Sequence, residues 1–108
     1  MDQTCSVQQL FDNLDTAFFR AMADPVRIRL LERLAHRPWA DVAAIAAEMP
    51  QDTSVVSRHL AQMAEAGLLR RRKEGRHVLY AIDGETMLAR LEALASLVRQ
   101  CLALGCCA

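Results

Sequence analysis

A chain of 108 residues, 53% of them hydrophobic, has room for one small core, and a domain of that size often gains stability by pairing with a second copy. Thirteen basic residues balance thirteen acidic ones, which excludes a protein that coats nucleic acid through bulk charge but allows one basic face on an acidic remainder. No apolar run reaches membrane-span length and no signal peptide opens the chain, so a cytoplasmic protein with no membrane partner is expected.

From the N-terminus, Ser6 and Gln9 fit a capping box. Leu10, Phe11, Leu14, Ala17, Phe18, Ala21 and Met22 form an apolar stripe, which predicts a first helix over about 7–22. Asp24-Pro25 restarts the chain as cap and first helical residue, with Val26, Leu30, Leu31 and Leu34 facing inward. His36-Arg37-Pro38 ends that helix. Val42, Ile45, Ala46 and Met49 mark a short third helix, and Pro50-Gln51-Asp52 is a tight turn. The next helix starts at Asp52 or Thr53, both good caps, and stops at Gly67, where a left-handed residue is wanted. Val56, Leu60 and Met63 give it one apolar face. Thr53, Ser54, Val55, Ser57, Arg58, His59 and Gln62 lie elsewhere on it, and two short helices joined this way make a helix-turn-helix. Small polar side chains let such a helix approach a DNA major groove while Arg58, His59 and Gln62 reach base edges or phosphates.

A basic hairpin follows. Residues 53–80 hold six basic and two acidic side chains, a net of +4 in a neutral chain. Glu74-Gly75 is the expected turn, and Val78, Tyr80 and Ile82 alternate as a half-buried strand should. A solvated charged hairpin and a DNA-binding wing both fit the charge; the order helix, glycine, wing selects the wing, with Arg71, Arg72, Lys73 and Arg76 as its DNA-contacting residues. The expected architecture is mostly α with a small β-hairpin: a winged helix-turn-helix of about five helices and a two-stranded wing. It occupies 1–108 as one domain, with the DNA-reading part at about 42–82.

Four segments carry a family resemblance: Ala23-Asp24-Pro25-Val26-Arg27-Ile28-Arg29-Leu30-Leu31, Val56-Ser57-Arg58-His59-Leu60, Glu65-Ala66-Gly67-Leu68-Leu69 and Arg72-Lys73-Glu74-Gly75-Arg76. In that order and at that spacing, over roughly residues 16–82, the chain resembles the ArsR/SmtB repressors. The resemblance implies a homodimer, paired through its first and last helices (about 7–22 and 85–104), that binds double-stranded operator DNA and releases it when a metal ion or metalloid binds. The family's usual ligand positions are missing. Residues 39–49 contain no cysteine, residues 53–66 contain none, and residues 85–104 contain no histidine. A sensor site is therefore expected at the chain ends.

Asp83 can cap a last helix over about 85–104. There Met87, Leu91, Leu94, Val98 and Cys101 step by four, three, four, three as a dimer seam, widened by Leu88, Ala95 and Leu102. The tail 105–108 is Gly-Cys-Cys-Ala, and Cys5 is the fourth cysteine. On an unbroken helix Cys101 and Cys106 would lie about 140° apart. A left-handed Gly105 would instead fold Cys106 back over Cys101. Cys101, Cys106 and Cys107 then offer three sulfurs, the donor set for As(III) or Sb(III) as inducer. Cd(II) or Pb(II) fits the same sulfurs with Cys5 added, and a thiol redox or persulfide switch would use the same cysteines. Cys5 also fits a hydrophobic staple onto Leu10, and Cys101 also fits core filling. The chain has no glycine-rich phosphate loop and no paired nucleophile and base, and His36, His59 and His77 are dispersed. Neither an enzyme nor an organic cofactor is expected.

Overall fold

A computed structural model describes residues 3–108, with side chains from Val7 onward; the Cys5 thiol and the Ser6 hydroxyl lie outside the described residues. The element order is α1 (Gln3–Asp12), α2 (Thr16–Met22), α3 (Pro25–His36), β1 (Ala40–Asp41), α4 (Val42–Ala46), α5 (Thr53–Glu65), β2 (Leu69–Glu74), β3 (His77–Ile82) and α6 (Gly84–Leu104). Local side-chain chemistry sets most of these boundaries. Asp15, Asp24, Asp41 and Asp83 precede α2, α3, α4 and α6, and each accepts a hydrogen bond from a first-turn N–H at 2.8–3.1 Å. Each such cap satisfies one donor that the helix itself leaves unpaired.

The N-terminal stripe forms two helices instead of one. α1 already starts at Gln3, so Ser6 lies within the helix and not at its N-terminal boundary. The Asp15 carboxylate takes the Phe18 N–H at 3.1 Å and begins α2 afresh, with Asn13, Leu14 and Asp15 as the break. That division gives six helices. The sheet has three strands in the order β1-β3-β2, all antiparallel. The central place of β3 explains why its residues do not alternate cleanly: Tyr80 and Ala81 are both buried. The hairpin turn falls one residue later than expected, at Gly75-Arg76, and Gly75 has φ +60°, as a two-residue turn with glycine first requires.

Phe18, Leu30, Leu34, Ile45, Val56, Leu60, Met63 and Leu68 are fully buried and form the core beneath α5 and the sheet. α5 ends at Gly67, φ +94°, where the Leu68 N–H reaches the Met63 carbonyl at 2.9 Å and the Gly67 N–H reaches Ala64 at 3.2 Å. This is a Schellman end, and its usual apolar contact is here Leu68 with Met63. Among the described residues no helix is long and apolar enough to cross a membrane.

α6 carries two apolar faces. Leu97 and Cys101 are buried on the side that packs on α1. Leu88, Leu91, Val98 and Leu102 are exposed on another, and Phe11 of α1 is exposed too. Of the residues expected along a seam, Leu88, Leu91, Val98 and Leu102 are thus exposed, Ala95 is half-buried and Cys101 is buried. Cys101 belongs to the inner face, and the outward positions 88, 91, 95, 98 and 102 step by three, four, three, four. The radius of gyration is 17.3 Å, against about 13 Å for a compact domain of this length.

Candidate nucleic-acid interface and thiol site

On α5, Thr53, Ser54, Ser57, Arg58 and Gln62 are exposed while Val55 and His59 are half-buried. Arg71, Arg72, Lys73 and Arg76 are exposed on the wing. The two groups adjoin, because Ser57, Ala61 and Glu65 of α5 line one cleft with Arg71 and Tyr80 of the hairpin. Among the described residues Arg58, Arg71, Lys73 and Arg76 have no acidic group at ion-pair distance. Their charge is uncompensated and available to a polyanion.

Other wing cations are engaged within the chain. Arg72 pairs with Glu74 at 3.0 Å, and its guanidinium stands 4.2 Å from the centre of the Trp39 ring. Trp39 holds a left-handed backbone, φ 59°, a conformation that costs a non-glycine residue about 1–2 kcal/mol. The residue continues into β1, so the indole platform and the sheet edge are set together. Arg70, at the wing base, meets Asp83 at 3.5 Å and Glu85 at 3.4 Å. The Asp83 carboxyl lies below its ordinary range, mainly through the Thr86 backbone hydrogen bond, then its side-chain bond to Thr86 and the charge of Arg70.

Sequence reasoning reads Arg27, with Arg29, Arg33 and Arg37, as a surface residue of α3 and assigns it no partner on α5. Its Nε donates to His59 Nδ1 at 3.2 Å and its Nη2 donates to Gln62 Oε1. The partners are 32 and 35 positions away, so no local pattern reveals the contact. His59 and Gln62, expected to reach base edges or phosphates, are hydrogen-bonded to α3 through Arg27.

At the far end of α6, Gly105 is left-handed, φ +78°. The Cys106 N–H reaches the Cys101 carbonyl at 3.0 Å and the Gly105 N–H reaches Leu102 at 3.1 Å. This is the same Schellman end as on α5, with Cys106 and Cys101 where α5 has Leu68 and Met63. The Cys106 thiol also donates to the Cys101 carbonyl at 3.1 Å. Cys101 is buried, and Cys106 and Cys107 are exposed. Burial pushes the Cys101 thiol above its ordinary range, and a side-chain hydrogen bond with Cys106 and the charges of Cys106 and Cys107 push it the same way. Among the described residues no three of His, Cys, Asp and Glu already converge to hold a metal ion. The three thiols meet at one helix end but are not preassembled, because Cys101 turns inward while the tail faces water.

A family model described as a helix-turn-helix domain matches residues 22–72. A transcriptional repressor SmtB homolog from Synechocystis is 36% identical over 87 residues, covering 76% of this chain and 65% of that protein. The chain spans 58–65% of the length of the first curated relatives it matches. Among solved structures, a possible transcriptional regulator for arsenical resistance is 37% identical with a TM-score of 0.64, covering 73% of this chain and 80% of that one. The homodimeric winged helix-turn-helix DNA-binding domain of a possible ArsR-family regulator from Mycobacterium bovis is 28% identical with a TM-score of 0.62, covering 94% and 88%. Sequence match, winged helix-turn-helix fold and structural likeness agree: the chain belongs to the ArsR/SmtB family of transcriptional regulators.

Proposed function

We propose that this chain is a homodimeric repressor that binds double-stranded operator DNA through α5 and the β2–β3 wing, and that leaves the DNA when Cys101, Cys106 and Cys107 take up As(III) or Sb(III). The observation that carries the metalloid reading is the helix end at Gly105, which brings Cys106 onto the Cys101 carbonyl and leaves Cys107 beside it. Three sulfurs with no imidazole or carboxylate among them form a soft donor set. The exposed thiols lie past the helix end, where the backbone can turn them toward Cys101. The arsenical-resistance regulator among the structural relatives points the same way. Uncompensated cations at Arg58, Arg71, Lys73 and Arg76 support the DNA reading, and the exposed stripe on α6 supports the dimer.

In this mechanism the thiols sit on the helix that pairs the subunits. Drawing Cys106 and Cys107 onto Cys101 changes how that helix end packs. The preferred dimer then no longer presents two α5 helices one DNA turn apart, about 34 Å. Coupling of about 1–3 kcal/mol would weaken DNA binding roughly 5- to 150-fold. The test is fluorescence anisotropy on a labelled operator duplex with arsenite, antimonite, cadmium and peroxide as effectors. The Cys106→Ser, Cys107→Ser double variant should bind the duplex as the parent does and ignore arsenite. A double variant that still lets go with arsenite would place the sensor elsewhere.

A further inference from the structure

Arg27 lies on α3, beside the helix proposed to enter the groove, and grips two side chains of that helix. We infer that Arg27 is a positioning residue for sequence reading: it fixes His59 and Gln62 as hydrogen-bond donors toward DNA, so that α5 selects base edges bearing acceptors. The inference rests on the reading of α5 as the groove helix.

The argument is one of hydrogen-bond inventory. His59 accepts from Arg27 at Nδ1, so a neutral ring carries its proton on Nε2, and that donor is the group left for a further partner. Gln62 accepts from Arg27 at Oε1. Its carbonyl is thereby turned toward α3, and its amide nitrogen, with two protons, has no bonded partner among the described residues. A free glutamine offers both a donor and an acceptor and so pairs with the N6/N7 edge of adenine. Held at its oxygen, which must stay turned toward Arg27, it loses the freedom to place that oxygen on adenine N6 and offers its amide donors first. Donors match guanine N7 and O6, adenine N7 or thymine O4, and find no partner on cytosine, whose major-groove edge offers only an amino group. A planar guanidinium can hold both partners because its N–H groups point in fixed directions. His59 and Gln62 are three residues apart on α5, so one arginine at the helix flank reaches both. Arg27 is itself half-buried, which restricts its freedom to turn away.

In-vitro selection from a random duplex pool tests this, with direct titration of the selected site and of a random-sequence duplex. The wild type should discriminate against cytosine at the positions facing His59 and Gln62. Arg27→Met and Arg27→Lys should both lose that preference by about tenfold, while binding to random duplex and its salt dependence stay as in the wild type. Lysine keeps the charge but not the fork, so its failure to rescue marks the pairing geometry. Gln62→Met leaves α3 intact and should lose preference at one position only, which keeps the test valid if an Arg27 variant proves unstable. Unchanged preference in all three variants would overturn the inference. So would a uniform loss across sequences with a salt slope reduced by about one, the mark of a plain phosphate contact. Arg58→Ala separates the two levels. If it weakens binding while the Arg27 variants read as wild type, only this inference falls. If it too has no effect, the groove reading falls and takes this inference with it.

Discussion

Cys101 differs from the two thiols it is proposed to work with, and the difference has a pH signature. Its thiol is held protonated by burial first, and by its neighbours second. Above the ordinary thiol range the unfolded chain ionises this group more readily than the folded one, so its contribution to stability falls as pH rises through that window. Ligand uptake distinguishes the candidate inducers. Three thiols and arsenous acid, As(OH)3, give the trithiolate and three waters, with no net proton released. Three thiols and Cd(II) must release three protons. Lowering the pH from 8 to 6 should therefore raise the cadmium concentration needed for DNA release by at least about tenfold, while the arsenite concentration changes little. Anisotropy titrations at both pH values check this, and equal shifts for the two would contradict the three-thiol site.

At the scale of elements, two helix ends bear directly on function. Gly105 has open space where a Cβ would go, so Gly105→Ala meets only the backbone cost of a positive φ, about 1 kcal/mol. Letting the helix run on would swing Cys106 away from Cys101. The variant should keep all its titratable thiols and its operator affinity, yet need roughly tenfold more arsenite for release. The other end is Asp83, whose carboxylate accepts from both the Thr86 N–H and hydroxyl, at 3.1 and 2.8 Å. Asp83→Ala should cost about 1 kcal/mol in denaturant unfolding at neutral pH. Because the folded carboxyl is shifted down, its contribution is full above the ordinary carboxylate range and fades as pH falls through the folded value. The deficit of the variant should shrink accordingly in acid.

These ends were legible in the sequence because their chemistry is local: an aspartate two or three residues from the N–H it serves, a glycine one step past the last turn. The helix α5 and the β2–β3 hairpin were legible for the same reason. The break at Asn13–Asp15 was hidden because Leu10, Phe11, Leu14 and Phe18 keep helical spacing across it. The inward turn of Cys101 was hidden because both faces of α6 are apolar, and which one turns inward depends on where α1 lands. Arg27 was hidden because its partners are more than thirty positions away.

At the scale of the molecule, one protomer does not bury what it carries. It measures 55 × 26 × 21 Å, and Leu88, Leu91, Val98, Leu102 and Phe11 face outward. Helices with apolar positions at alternating threes and fours pair along that stripe. Leu91→Glu combined with Val98→Glu should give a monomer by sedimentation with the helix content retained, and should lose operator binding by well over tenfold because two half-sites are no longer held together.

The wing and the pairing helix are also joined without slack. Asp83 alone separates β3 from α6, its N–H is bonded to the Leu68 carbonyl at 2.9 Å, and Arg70 ties the wing base to Asp83 and Glu85. There is no neck at which a disturbance could dissipate. In the proposed dimer, a small roll of one subunit against its mate would travel along about 30 Å of rod and arrive at the hairpin tip as a sideways sweep, so no separate transmission would be needed to turn a change at the tail into a lost grip at the head.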